Sequence, residues 1–196
     1  MRQIHTQQGL SMIEVLVAIT ILSVGLLGTA ALQIQSKRTN LGSVERTFAS
    51  MLVHDMFERM RANPSQRRVY LAELDKSNYV GQAGGSAPGN CIDNQCTPAQ
   101  MARWDVWDWE QSLIGAREVS GSANTGGLVL PLACMTGPAG GGEGLYTIAV
   151  NWRGRSEIAD GGAADPCDAD ASGRYDGDEG TGTLRRTIVV SSYLND

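Results

Sequence analysis

The chain has 196 residues, 42% of them hydrophobic and 24 of them glycine, with a formal net charge of −5. That length allows one globular domain plus an extra element, and the apolar content is enough to bury a core, which excludes a disordered chain. The negative balance and the lack of a basic block exclude a nucleic-acid partner.

The first element is the run from Leu10 to Leu32. It holds no Lys or Arg, and Glu14 is its one formal charge. As a helix it would be about 35 Å long, enough to cross a bilayer core of about 30 Å. The hydroxyls of Ser11, Thr20, Ser23 and Thr29 are expected to bond back to helix carbonyls. A cleaved secretory signal would have a shorter apolar core followed by a small-residue cleavage site, and none is evident before Gln33–Lys37. A plain membrane anchor fits the length but leaves Glu14 without a reason, since a carboxylate in hydrocarbon is costly. The run is too long for a buried helix of an ordinary globular core. Ahead of it, Met1–Gly9 is a short polar leader with Arg2 and no acid. Cleavage after Gly9 would free an amine on Leu10 one helical turn from Glu14. In an assembly, Glu14 could face the amine of a neighbour, which offsets the cost of burying either charge and sets axial register.

The stretch Gly9-Leu10-Ser11-Met12-Ile13-Glu14-Val15-Leu16-Val17-Ala18 resembles the class III signal of type IV prepilins. The resemblance implies that prepilin peptidase cuts between Gly9 and Leu10 and N-methylates Leu10, with Glu14 as the assembly acid. Leu10 stands where that family usually has Phe. Ala31 stands where major pilins commonly carry proline, which leaves a bend to Gly25, Gly28 or Gly42. The continuation Ile21-Leu22-Ser23-Val24-Gly25-Leu26-Leu27-Gly28, with Glu58-Arg59-Met60-Arg61-Ala62-Asn63-Pro64, is similar to minor pilins of the PilV type. Pseudopilins of type II secretion share the leader, are typically shorter, and are less associated with the ERMRANP ending. The resemblance covers residues 7–64. It implies a single-pass inner-membrane precursor with a periplasmic head that moves into a surface pilus. Its expected partners are other minor pilins, the major pilin, the inner-membrane assembly machinery and a tip adhesin. A single-pass anchored binding protein with an intact N-terminus is the alternative from another class.

The helix is expected to continue to about Arg61 and to stop at Asn63-Pro64. Leu41, Val44, Phe48, Leu52, Met56 and Met60 recur at spacings of three and four, an amphipathic stripe for packing on a head. The division expected is a leader over 1–9, a membrane or filament-core half over 10–32, an amphipathic half over 33–63, and a head over 64–196. Thr97-Pro98 opens a second helix over about 98–114, with Thr as N-cap. Met101, Trp104, Trp107 and Ile114 are read as its buried stripe, leaving Trp109, Asp105 and Asp108 exposed to a partner. Strands are expected over Gly127–Cys134, with Pro131 marking an edge, over Leu145–Trp152, where Tyr146, Ile148, Val150 and Trp152 share a face, and over Arg185–Leu194. The fold class is α+β: a long N-terminal helix whose amphipathic half packs on a small antiparallel sheet.

The four cysteines suit disulfides in an oxidising compartment; no CxxC or nearby histidine supports zinc. Four cysteines allow three pairings; Cys91–Cys96 with Cys134–Cys167 is favoured, because Cys91 and Cys96 are too close in sequence to lie far apart, and the connectivity stays open. The acidic tract Asp168–Glu179 places Asp168, Asp170, Ser172, Asp176 and Glu179 at the spacing of a calcium loop, but no flanking helix pair is expected, and a solvated acidic loop is the alternative. No catalytic arrangement or phosphate loop appears, and no other cofactor is implied. The chain reads as a substrate of enzymes rather than as an enzyme.

Overall fold

A computed structural model describes residues 11–75, 81, 87–121, 123–158, 173–178 and 183–195. It divides into two compact units, Met1–Leu41 and Gly42–Asp196. Helix α1, Met12–Ala62, is continuous through Gly25, Gly28 and Gly42. Its part in the first unit has every described residue exposed. Asn63 ends α1 before a 3-10 turn at Pro64–Gln66, because proline disfavours helix at the residue before it.

The second unit is an α+β head. It adds α2 (Arg67–Glu73), α3 (Pro98–Leu113), a two-residue hairpin of β1 (Val119–Ser120) and β2 (Ala123–Asn124), and three longer strands, β3 (Leu132–Thr136), β4 (Gly144–Arg153) and β5 (Arg185–Leu194). The last three form one antiparallel sheet in the order β3-β4-β5, with Cys134 opposite Ala149 and Ile148 opposite Val190.

Alternation along β4 puts Tyr146, Ile148, Val150 and Trp152 on one face, and all four are buried in the main core. Ala49, Leu52, Val53, Met56, Phe57 and Met60 of α1 belong to the same cluster. The buried face of α1 therefore begins at Ala49. Leu41 and Val44, expected in the stripe, are 45% and 64% exposed, and Phe48 is half-buried. The reason lies in the polar end of the sheet. At Glu45 the helix meets the last residues of β4, where Glu45 accepts from Trp152 Nε1 at 3.3 Å and from Arg155 Nε at 3.2 Å. On the other face of the sheet, Ala149 of β4 is buried in a smaller cluster with Leu132, Cys134 and Tyr175.

Helix α3 opens with a reciprocal cap, Thr97 Oγ1 accepting from Gln100 N while Gln100 Oε1 accepts from Thr97 N. Its buried stripe is Ala102, Val106, Trp109 and Leu113, which corrects the expected one. Trp109 is fully buried and donates through Nε1 to the Leu52 carbonyl of α1 at 2.7 Å. Trp104 and Trp107 are half-buried instead, with ring centroids 4.8 Å apart. Both stripes fit helical spacing, and the difference is settled by which phase meets α1. Asp105 and Asp108, expected at the surface, face Arg59. Its guanidinium bonds Asp108 Oδ2 at 2.9 Å, Asp105 Oδ1 at 3.4 Å and Asp55 Oδ2 at 2.8 Å, and Arg117 also pairs with Asp108. The first expected strand, Gly127–Cys134, also shifts. Gly127 and Leu130 have positive φ angles of 78° and 48°, incompatible with strand geometry, so β3 begins after Pro131.

Buried Tyr70 of α2 donates its hydroxyl to Asp105. Burial first, then the Asp105 hydrogen bond and charge, hold its pKa well above the ordinary 10.0. In the unfolded chain this phenol ionises from about pH 10, while the folded protein keeps it neutral. The Tyr70 contribution is thus complete below pH 10 and falls as pH rises above it, by at most about 1.4 kcal/mol per pH unit. Denaturant titrations between pH 9 and 11 should show this added alkaline loss in the wild type and its absence in Tyr70→Phe.

Candidate assembly interface

The first turn of α1 carries the charged end of the apolar segment. Ser11 precedes the helix; its carbonyl accepts from Glu14 N at 3.0 Å and Val15 N at 3.2 Å, and its hydroxyl accepts from Ile13 N at 3.3 Å. Glu14 is exposed in that turn, where a carboxylate complements the unsatisfied N–H groups of the helix start. Gly9 and Leu10 lie outside the described residues, so the distance from the Leu10 amine to Glu14 is not part of the described geometry.

From here to Leu41 no side chain is covered by protein. Ile13, Leu22, Val24, Leu27 and Leu32 are each at least 62% exposed. Thr20, Ser23 and Thr29 donate back to the carbonyls of Val17, Ile19 and Leu26 at 2.6 to 2.9 Å. Their hydroxyls are thereby satisfied within the helix and present little polarity to an apolar surrounding. Ser11 differs from expectation: its hydroxyl caps the helix start rather than bonding back. Among the described residues, α1 is the one helix long and apolar enough to cross a membrane.

Below this segment, α1 carries a second uncovered apolar strip. Val44 and Met51 are 64% and 65% exposed, beside half-buried Phe48. Within the head, Cys91 and Cys96 form a disulfide with Cα atoms 5.6 Å apart. Cys134 is buried and disulfide-bonded; Cys167, its expected partner, lies outside the described residues. So do Asp168, Asp170, Ser172 and Glu179 of the expected calcium loop. Asp176 is described, half-buried, with its N–H on the Gly173 carbonyl at 3.3 Å. No group of three metal-binding side chains occurs among the described residues.

Sequence reasoning missed the polar lock of Arg59, Asp105, Asp108 and Tyr70. Its signal was available in the acids of α3 at i and i+3, but their partners come from α1 and α2.

Comparison with known families agrees with this arrangement. Residues 4–30 match the prokaryotic N-terminal methylation motif, and the adjoining residues 31–107 match Tt1218-like proteins, described as type IV pilin Tt1218. No curated protein and no solved structure matches the chain. The chain thus carries a prepilin methylation motif followed by a segment similar to a type IV pilin, and an N-terminal apolar helix consistent with membrane anchoring and pilus assembly.

The two sides of α1 should respond differently to truncation. Met56→Ala, in the core, should cost about 2–5 kcal/mol of head stability. Met51→Ala, one turn away and exposed, should cost less than about 0.5 kcal/mol. Denaturant unfolding followed by tryptophan fluorescence measures both.

Proposed function

We propose that this chain is a minor pilin of the type IV pilus, and that helix α1 is its assembly element. The carrying observation is a helix segment exposed along its length, with Glu14 in its first turn, lying within the match to the methylation motif over residues 4–30. Covering apolar surface contributes roughly 25 cal/mol per Å², so such a segment belongs in lipid or among other helices. Prepilin peptidase cuts between Gly9 and Leu10 and methylates the Leu10 amine. Residues 10–32 hold the precursor in the inner membrane as a single span, with the head in the periplasm.

On assembly the same residues leave lipid for the filament core. There Glu14 pairs with the N-terminal amine of a neighbouring pilin. In a medium of low dielectric an unpaired carboxylate is costly, while a close ion pair offsets much of that cost. The pairing also rewards one axial offset between subunits, since a shift of one helical turn separates the charges by about 5.4 Å.

The PilV-type resemblance of residues 21–28 and 58–64 supports a place near the pilus tip, priming assembly with other minor pilins beneath an adhesin, ahead of the major pilin. The exposed Val44 and Met51 strip supplies lateral contact with adjoining helices. The protein is a structural subunit. Surface roles such as adhesion and twitching motility follow from the filament it joins.

Two measurements test this reading. The mature protein should begin at N-methyl-Leu10 by intact mass; a chain still starting at Met1 defeats the processing step. Glu14→Ala should remain in the membrane at wild-type abundance while its recovery in sheared filaments drops at least about tenfold, equivalent to losing about 1.4 kcal/mol of pairing. Recovery at the wild-type level would rule out the pairing.

A further inference from the structure

The chain holds 21 acids, yet none lies between Glu14 and Glu45. Two cations stand in that interval, Lys37 and Arg38. Both are exposed on α1 within the first compact unit, Met1–Leu41. A helical side chain finds its partners three and four residues away. For Lys37 those positions are Gln33, Ile34, Asn40 and Leu41; for Arg38 they are Ile34, Gln35, Leu41 and Gly42. None of these can neutralise a cation. By contrast, Arg59, Arg61, Arg103, Arg117 and Arg155 of the head each pair with a carboxylate. Among the described residues, no ion pair or hydrogen bond reaches the side chain of Lys37 or Arg38.

Their depth along the helix is set by the apolar run before them. At about 1.5 Å per residue, the two cations lie about 8 to 9 Å beyond Leu32 and about 35 Å beyond Glu14. A bilayer has a hydrocarbon core of about 30 Å, and about 40–45 Å with its headgroups included. A span that keeps Leu10–Leu32 in hydrocarbon therefore puts Lys37 and Arg38 at headgroup level, at the end that leads into the head. Their long stems let the charges adjust to that level. Gln33, Gln35 and Ser36 in between are polar and uncharged, which suits the boundary layer.

We infer that Lys37 and Arg38 bind the phosphates of anionic lipids and so hold the helix at a fixed depth before assembly. The inference rests on the membrane role proposed above for residues 10–32. Spacing favours lipid over a free phosphate. Successive helix positions point about 100° apart, so the two cations diverge and do not close on one small anion. Each meets a different headgroup, which a lipid surface supplies and a single small ligand does not. The apolar run beside them delivers both to that surface.

Native mass spectrometry of the full-length chain tests this. The chain is released from detergent micelles doped with equal phosphatidylglycerol and phosphatidylcholine, and the retained lipids are counted. Wild type should prefer phosphatidylglycerol by at least about tenfold, since each cation near an anionic surface contributes about fivefold. Lys37→Gln/Arg38→Gln should bring the ratio below about twofold, with the unfolding midpoint of the head unchanged. Arg61→Gln/Arg103→Gln, an equal loss of charge in the head, should keep the wild-type ratio. Equal retention of both lipids by the wild type would overturn the inference. So would an undiminished ratio in the Lys37 and Arg38 variant, or an equal fall in the head variant. Displacement of phosphatidylglycerol by millimolar inorganic phosphate, where chloride of the same ionic strength leaves it bound, would assign the pair to a free anion and overturn it too. A pair without lipid preference, whose loss nevertheless depletes the chain from sheared filaments, belongs to an acidic neighbour and not to lipid. Flotation with phosphatidylcholine vesicles separates the inference from its premise. A wild-type chain that does not float defeats the membrane reading and the inference together. One that floats but shows no lipid preference defeats the inference alone.

Discussion

One helix has to satisfy two environments, and the rest of the molecule is arranged around that demand. Over residues 12–41, α1 has no protein cover, so its apolar side chains need lipid or other helices. Over residues 49–60 it presents one narrow stripe, and that stripe is the largest single contributor to the core of the head. The transition falls at Glu45, whose carboxylate takes Trp152 and Arg155 from the end of the sheet. A second demand follows at the helix start, where the one acid of the apolar segment stays exposed in the monomer.

The head answers by clamping the lower part of α1 from two sides. The sheet supplies the flat apolar face. Helix α3 supplies a hydrogen bond from Trp109 to the Leu52 carbonyl and the two carboxylates that hold Arg59. A carbonyl already inside a helix can accept a second donor because it has two lone pairs. The indole therefore joins the helices without breaking α1. Buried Arg67 of α2 completes the closure by donating to the Asn195 carbonyl at 2.6 Å, fixing the chain just past β5. Among the described residues, the apolar segment over 12–41 and the Val44 and Met51 strip remain exposed. A lone protein in water would gain nothing by exposing these surfaces.

Reading by periodicity worked where burial follows one simple rule. The alternation in Leu145–Trp152 named the buried face of β4 residue by residue. The run Arg185–Leu194 matched β5, and Thr97-Pro98 announced the start of α3. Periodicity was weaker on α3, where tryptophans sit at several helical phases and any of them could fill a stripe. Trp109 is inside because the Leu52 carbonyl and the Met56 side lie opposite it, information held by a segment about fifty residues away. The same holds for Asp105 and Asp108, whose apparent exposure was cancelled by Arg59. The strand expected from Gly127 was shortened by the left-handed backbone at Gly127 and Leu130, a local conformation that apolar patterning does not reveal.

The sequence by itself determined the long apolar helix, its single acid, the methylation motif at its start and the α+β class. These depend on local composition and spacing, which are written residue by residue. The tertiary structure alone decided where the helix stops being bare, which tryptophan is buried and which acids are paired. Each of those depends on what another segment brings to the same place, and no single stretch of chain contains that information.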